Sequence, residues 1–144
     1  MQALKLIALD ADDMAVVAAH LQDAVVRVGD LAFLPKQRRF AGLFNRFAWE
    51  TAATGTPERR RAALRIERVT AVRRSGIDQK RPEAVFNLLS LQFTPGQSPG
   101  GTIDMEFSGG GTIRLEVECV EIALGDLGGA WAARAVPDHD GEDA

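Results

Sequence analysis

The chain has 144 residues, a formal charge of −3 and a single cysteine, Cys119. That length suits one domain that can bury most of its unfolded surface without metal or disulfide support, and one cysteine excludes an internal disulfide framework. No apolar run approaches the roughly 20 residues of a membrane helix, and the N-terminal run is too brief for a secretory signal. A cytoplasmic domain with no membrane partner is therefore expected.

In chain order, LKLIAL (residues 4–9) has strand length and character. Asp10 follows as an N-cap, with Asp13 three residues on. Met14, Val17, Ala18, Leu21, Val25 and Val28 recur at helical spacing, which predicts an amphipathic helix over 12–27. Residues 31–34 and 40–49 then read as two strands around the turn Pro35-Lys36-Gln37-Arg38. The stretch 51–57 reads as a loop. Over 63–72 the alternation slips between Ile66 and Val69, and a bulge is expected to restore it. Residues 75–82 read as a loop, 84–93 as a strand, and TPGQSPGG (94–101) as a turn.

The clearest local pattern follows. Ile103, Met105 and Phe107 alternate with polar residues, as do Ile113, Leu115 and Val117 across Gly109-Gly110-Gly111. A hairpin that pairs Phe107 with Ile113 and Glu106 with Arg114 keeps the apolar faces matched. It also avoids opposing Glu106 to Glu116. The last loop glycine is expected to be left-handed. Beyond it, Val120, Leu124, Leu127 and Trp131 return to helical spacing, which predicts a helix over 119–127. The globular unit is expected over 1–134, with 135–144 as an acidic, disordered tail.

The fold class expected from this reading is α+β: a largely antiparallel sheet or curved half-barrel of about six to seven strands with an N-terminal and a C-terminal helix. By analogy it is similar to a pleckstrin-homology-like half-barrel. The runs LPKQRRF (34–40), NRFAWE (45–50), AVFNLLSLQF (84–93) and GGGTIRLEVECVE (109–121) resemble an uncharacterised bacterial domain-of-unknown-function family. That resemblance implies a small bacterial cytosolic domain and no activity, cofactor or catalytic residue.

Residues that could carry chemistry are few. His20 has Asp23 three residues on, the arrangement of an oriented acid–base pair, although a surface histidine with an incidental neighbour is the commoner case. Cys119 would be activated if a helix began beside it. Neither cysteine nor histidine stands at metal-ligand spacing, and no cofactor is implied. Asp104, Glu106, Glu116, Glu118 and Glu121 read as the solvent face of a hairpin. The strongest remaining signal is charge: thirteen basic residues against four acids lie between Lys36 and Arg81. Lys36, Arg38 and Arg39 fall at a hairpin tip and Arg59, Arg60 and Arg61 in a loop, where they could meet an anionic partner.

The expected function is a non-catalytic binding or adaptor module that recognises a protein or other anionic partner through that basic hairpin and loop. A small enzyme using His20 or Cys119 is the second reading. An RNA-associated factor using the same arginines, with Phe44, Phe47 and Trp49 available to stack bases, is the third and not the favoured one.

Overall fold

Alternation at period two governs most of the chain. The computed structural model describes residues 4–48 and 59–127. Within them lie β1 (Lys5–Ala8), α1 (Ala11–Leu21), β2 (Val25–Leu34), β3 (Arg39–Phe47), β4 (Arg59–Ile66), β5 (Val69–Ser75), β6 (Val85–Pro95), β7 (Gly101–Phe107), β8 (Thr112–Val117) and β9 (Ile122–Asp126). The strands hydrogen-bond in the order β1-β9-β4-β3-β2-β6-β7-β8-β5. Every pairing is antiparallel.

This corrects the expected α+β class. Among the described residues there are nine strands and one helix, and the predicted C-terminal helix is β9. Val120 and Leu124 do stand four apart, but Ile122 between them is equally buried. The true period is therefore two, and a strand at that place gains ladder partners on both sides, β1 and β4. The likeness to a pleckstrin-homology domain rested on that helix and falls with it.

The N-terminal helix forms where its cap predicts, since the Asp10 carboxylate accepts a bond from the Asp13 amide at 2.8 Å. Met14, Val17 and Leu21 point into the core. It ends at Leu21, six residues earlier than the apolar spacing predicts. Val25 and Val28 fit the helical stripe, yet Ala24, Val26 and Val28 are buried in alternation, and β-branched valines favour the strand.

A second correction concerns residues 63–72. The chain there forms β4 and β5, divided by a corner at Glu67-Arg68, where Arg68 is left-handed at φ 61°. A register shift does follow Val69 in β5, but the change of phase begins at the corner. β4 and β5 are joined by two residues, so the end of one lies within about 10 Å of the start of the other. In the hydrogen-bonded order, however, β3, β2, β6, β7 and β8 stand between them. The sheet must therefore curl until its last strand returns toward its third. One backbone bond records that return: Val69 N, at the start of β5, donates to Arg38 O, beside the start of β3. Leu64, Ile66, Leu88, Ile103, Met105, Phe107, Leu115 and Leu124 fill the enclosed core with Phe40 and Phe44.

The β7–β8 hairpin is present, shifted by one loop position. Met105 faces Ile113, Asp104 faces Arg114 and Glu106 faces Thr112, in place of the expected Phe107–Ile113 and Glu106–Arg114 pairs. The three-residue loop is Ser108-Gly109-Gly110, closed by Phe107 N donating to Gly111 O at 2.8 Å. Gly110, at the last position, has φ 90°, while Gly111 is extended at φ −73°. Parity is as expected, because the apolar faces still match. The register is decided by Arg114, whose Nε reaches Asp104 at 2.7 Å. Trp49, the 51–57 loop, Trp131 and the 135–144 tail lie outside the described residues. None of the described helices is long and apolar enough to cross a membrane.

One end of the sheet holds a buried ion pair. Arg46 on β3 has no exposed surface, and its side chain meets Asp126 on β9 in a fork, Nε to Oδ1 at 2.8 Å and Nη2 to Oδ2 at 2.9 Å. Asp126 Oδ2 also accepts the Leu4 amide at 2.9 Å, and Arg60 Nη1 lies 3.9 Å from it. Burial alone would raise the Asp126 carboxyl, but the Arg46 and Leu4 hydrogen bonds and the Arg46 and Arg60 charges outweigh it and hold the group below its ordinary value. A depressed carboxyl contributes stability that is complete above the unfolded pKa of about 4 and is lost as pH falls through the lower folded value.

Two stability measurements follow from this packing. Leu124→Ala, at a position 1% exposed, should cost about 2–5 kcal/mol in denaturant unfolding, because the strand between β1 and β4 cannot collapse onto the cavity. Asp126→Asn should cost about 3–5 kcal/mol at pH 7, because it removes the carboxylate charge that the buried Arg46 guanidinium faces. The gap between that variant and wild type should narrow below about pH 4. A gap that is constant down to pH 2 would show that the Asp126 charge contributes nothing.

Candidate anion-binding face

The parity of β4 sorts the basic segment. Ala62, Leu64 and Ile66 are fully buried, so Arg59, Arg61 and Arg65 project from the opposite, outer face and are exposed. Between Arg61 and Arg65 the floor is Ala63, with Gly125 of β9 on one side and Leu43 of β3 on the other. Beyond Gly125 stands Lys5 of β1, and beyond Ala123, in the row of Arg65, stands Ile7. Small side chains in the middle leave the guanidinium groups standing above a shallow floor. Arg61 Nη2 is 3.9 Å from Asp30, which Arg27 holds more closely at 3.2 Å. Arg59 Nη1 donates to Asn45 O at 3.2 Å. Arg65 takes part in none of the ion pairs found among the described residues.

The other expected cations stand elsewhere. Lys36 lies on a short 3-10 turn (Pro35–Gln37) and is exposed. Arg38 follows in left-handed conformation at φ 51° and reaches Glu118 at 3.1 Å. Arg39 donates to both oxygens of Glu67, at 2.9 and 3.1 Å. Phe47 pairs with Arg59 and Phe40 with Ile66. The Arg38–Arg39 end and the Arg59–Arg61 end are thus separated by the length of β4, roughly 23 Å for seven residue steps. The hairpin and the loop do not converge.

Three cations of the segment turn inward. Arg46 and Arg60 surround Asp126, and the Arg74 guanidinium sits 5.9 Å from the centroid of Phe40, a cation–π contact; burial depresses its pKa. Arg68, at the corner, reaches Glu121 at 3.3 Å. Sequence reasoning missed both Arg46, as an internal charge, and Arg65, as part of the outer row. The signal for Arg65 was available: Arg59, Arg61 and Arg65 share the parity opposite to Leu64 and Ile66. It was lost by starting the strand at Ala63.

His20, Asp23 and Cys119 are not brought together. The His20 ring nitrogen Nδ1 contacts its own helix at Val16 O, 2.9 Å away. Asp23 is an exposed left-handed residue after the helix, and its amide donates to Leu88 O. Leu88 faces Phe107 at one end of β7, whereas Val117, two residues before Cys119, faces Gly101 at the other. Six residue steps, or roughly 20 Å, separate the two ends. Cys119 precedes a strand, so no helix N-terminus activates its thiol. A groove of about 560 Å³ beside the β6–β7 turn is lined by Thr70, Ser98, Thr102, Glu116 and Glu118, and by neither His20 nor Cys119. Among the described residues no group of three or more His, Cys, Asp or Glu is placed to hold a metal ion.

Phe40 and Phe44 have no exposed surface, so Phe44 is not available to stack a base. Phe47 is half-buried, and Trp49 lies outside the described residues.

No curated protein and no solved structure matches the chain. Residues 4–139 match a family described as a protein of unknown function, DUF2948. That match spans nearly the whole sequence, the described sheet and the cationic face included. The chain therefore belongs to the DUF2948 family.

Proposed function

We propose that the domain is a non-catalytic binding module for an anionic protein segment, which it holds on the outer face of β4, β9 and β1. The observation that carries this reading is the outward row Arg59, Arg61 and Arg65 over a floor of Ala63 and Gly125. Guanidinium groups make paired, charge-assisted bonds to carboxylates, and a flat floor lets a chain approach them. The apolar residues within the same face, Leu43 and the 72% exposed Ile7, favour a polypeptide over a nucleic acid, which would draw on aromatic stacking. Lys36, Arg38 and Arg39 form a separate cluster, partly neutralised by Glu118 and Glu67. The domain is read as bacterial and cytosolic; its sequence resemblance and lone cysteine support that.

The test uses fluorescent poly-glutamate and a single-stranded RNA oligonucleotide as probes for the full chain. Poly-glutamate should bind more tightly than RNA. It should also release with rising salt, because exposed charges are screened over about 8 Å at physiological ionic strength. Arg61→Glu/Arg65→Glu should weaken it by roughly tenfold or more and leave the melting temperature within a few degrees, since both side chains are exposed. Arg38→Glu/Arg39→Glu should bind as wild type. Equal binding by all three proteins would overturn the reading, and a preference for RNA would redirect it to nucleic acid.

A further inference from the structure

The cationic face ends at an open strand. Among the described residues β1 is the first in the hydrogen-bonded order and pairs on one side only, with β9. Which of its backbone groups are free follows from three backbone bonds and the alternation of an antiparallel ladder. Asp126 N donates to Leu4 O, so residues 122, 124 and 126 of β9 turn their backbone groups toward β1, where they meet Ala8, Leu6 and Leu4. Leu127 N donates to Arg61 O and Glu67 N to Glu121 O, so the odd residues of β9 turn toward β4. The two assignments agree. The amide and carbonyl groups of Lys5 and Ile7 therefore point away from β9, toward the open edge.

We infer that the anionic segment binds by adding a strand to the edge of β1, so that its backbone pairs with Lys5 and Ile7 while its side chains meet the cationic face. This inference rests on the binding reading above and specifies its mode. A paired strand supplies affinity through its backbone and specificity through alternate side chains. Here the residue beside Lys5 is acidic, on the same outer face as Arg65, which stands two strands in from β1 across Ala123, roughly 10 Å away. The residue beside Ile7 is apolar, against a side chain that is 72% exposed. The far end of β1 leads into Asp10, Asp12 and Asp13, where a second acid on the partner would be repelled. The recognised pattern is thus an extended segment with its carboxylates at one end only. Lys5 also disfavours a second copy in this place, because charged edge residues oppose self-pairing of strands.

Proline separates this mode from simple charge attraction. At Ile7 it removes an amide that β9 does not use and fixes φ near the strand range, so Ile7→Pro should melt within a few degrees of wild type. At Leu6 it would remove a ladder bond and should destabilise the fold. The probe is a capped synthetic peptide of roughly nine residues, threonine at alternate positions, glutamate at one end and valine beyond. Wild type should bind it, and Ile7→Pro should lose on the order of tenfold or more in affinity. Should the proline variant unfold, the wild-type chain decides the matter: slowed exchange of the Lys5 and Ile7 amides with the peptide bound supports strand addition, and unchanged exchange overturns it. A folded Ile7→Pro protein that binds as wild type would overturn the edge mode and leave the face reading standing. Loss with Arg61→Glu/Arg65→Glu alone would do the same. Loss with Ile7→Pro alone would reject the face reading and leave strand addition. No binding of the peptide by wild type, or binding of anionic vesicles in its place, would overturn the inference.

Discussion

A guanidinium that is fully removed from water survives only where another charge and several hydrogen bonds replace its hydration. Asp126 supplies part of that replacement for Arg46, in a paired fork whose carboxylate also takes the amide of Leu4. Three strands are fastened at this point: β3 by the arginine, β9 by the aspartate, and β1 by the peptide bond preceding it in the ladder. The insertion of β9 between β1 and β4 depends on it. So does the phase of β4, because Ala62 stands opposite Asp126; with Ala62 turned inward, its neighbours Arg61 and Ala63 must face out. An internal charge pair thereby determines which arginines are external.

The second constraint is the corner at Glu67-Arg68. It carries the chain from the strands that bear the cationic face to the strands on the far side of the core, and the connection after β8 returns it to β9. The corner also neutralises its own charge, through Arg39–Glu67 at the base of the hairpin and Arg68–Glu121 across the returning strand. Arg39 and Arg68 are thus occupied in building the corner. The outward cations of β4, Arg59, Arg61 and Arg65, stand over small side chains. The uneven charge of the sequence resolves into these two populations, one structural and one available.

The sequence pattern was most legible where a single period ran without competition. The apolar faces of β7 and β8, the cap of α1 and the strands at 40–49 and 84–93 could be read, and they recur among the described residues within a few positions, whereas 31–34 is only the end of the ten-residue β2. Reading failed where two periods coincide. Val28 fits a helical stripe with Val25 and a strand with Ala24 and Val26, and Val120 and Leu124 fit either period, so only tertiary pairing decides between them. The hairpin register slipped by one loop position because three successive glycines offer no preference among themselves, and the deciding contact, Arg114 with Asp104, lies in the strands and not in the loop. For the candidate site, composition showed a cationic segment. Its division into inward Arg46, Arg60 and Arg74 and outward Arg59, Arg61 and Arg65 depends on strand parity across a corner that local alternation does not reveal. The open edge at Lys5 and Ile7 is further from sequence still, since it depends on which strand stands last in the order.

The central claim joins that edge to the cationic face, and backbone hydrogen exchange tests it most directly. In the free protein the amides of Leu6 and Ala8, which face β9, should exchange slowly, and those of Lys5 and Ile7 should exchange at rates close to an unprotected chain. Saturation with the capped acidic peptide should slow Lys5 and Ile7 selectively, with little change at Leu6 and Ala8. Protection of Lys5 and Ile7 already in the free protein, or no change at either on binding, would contradict the account.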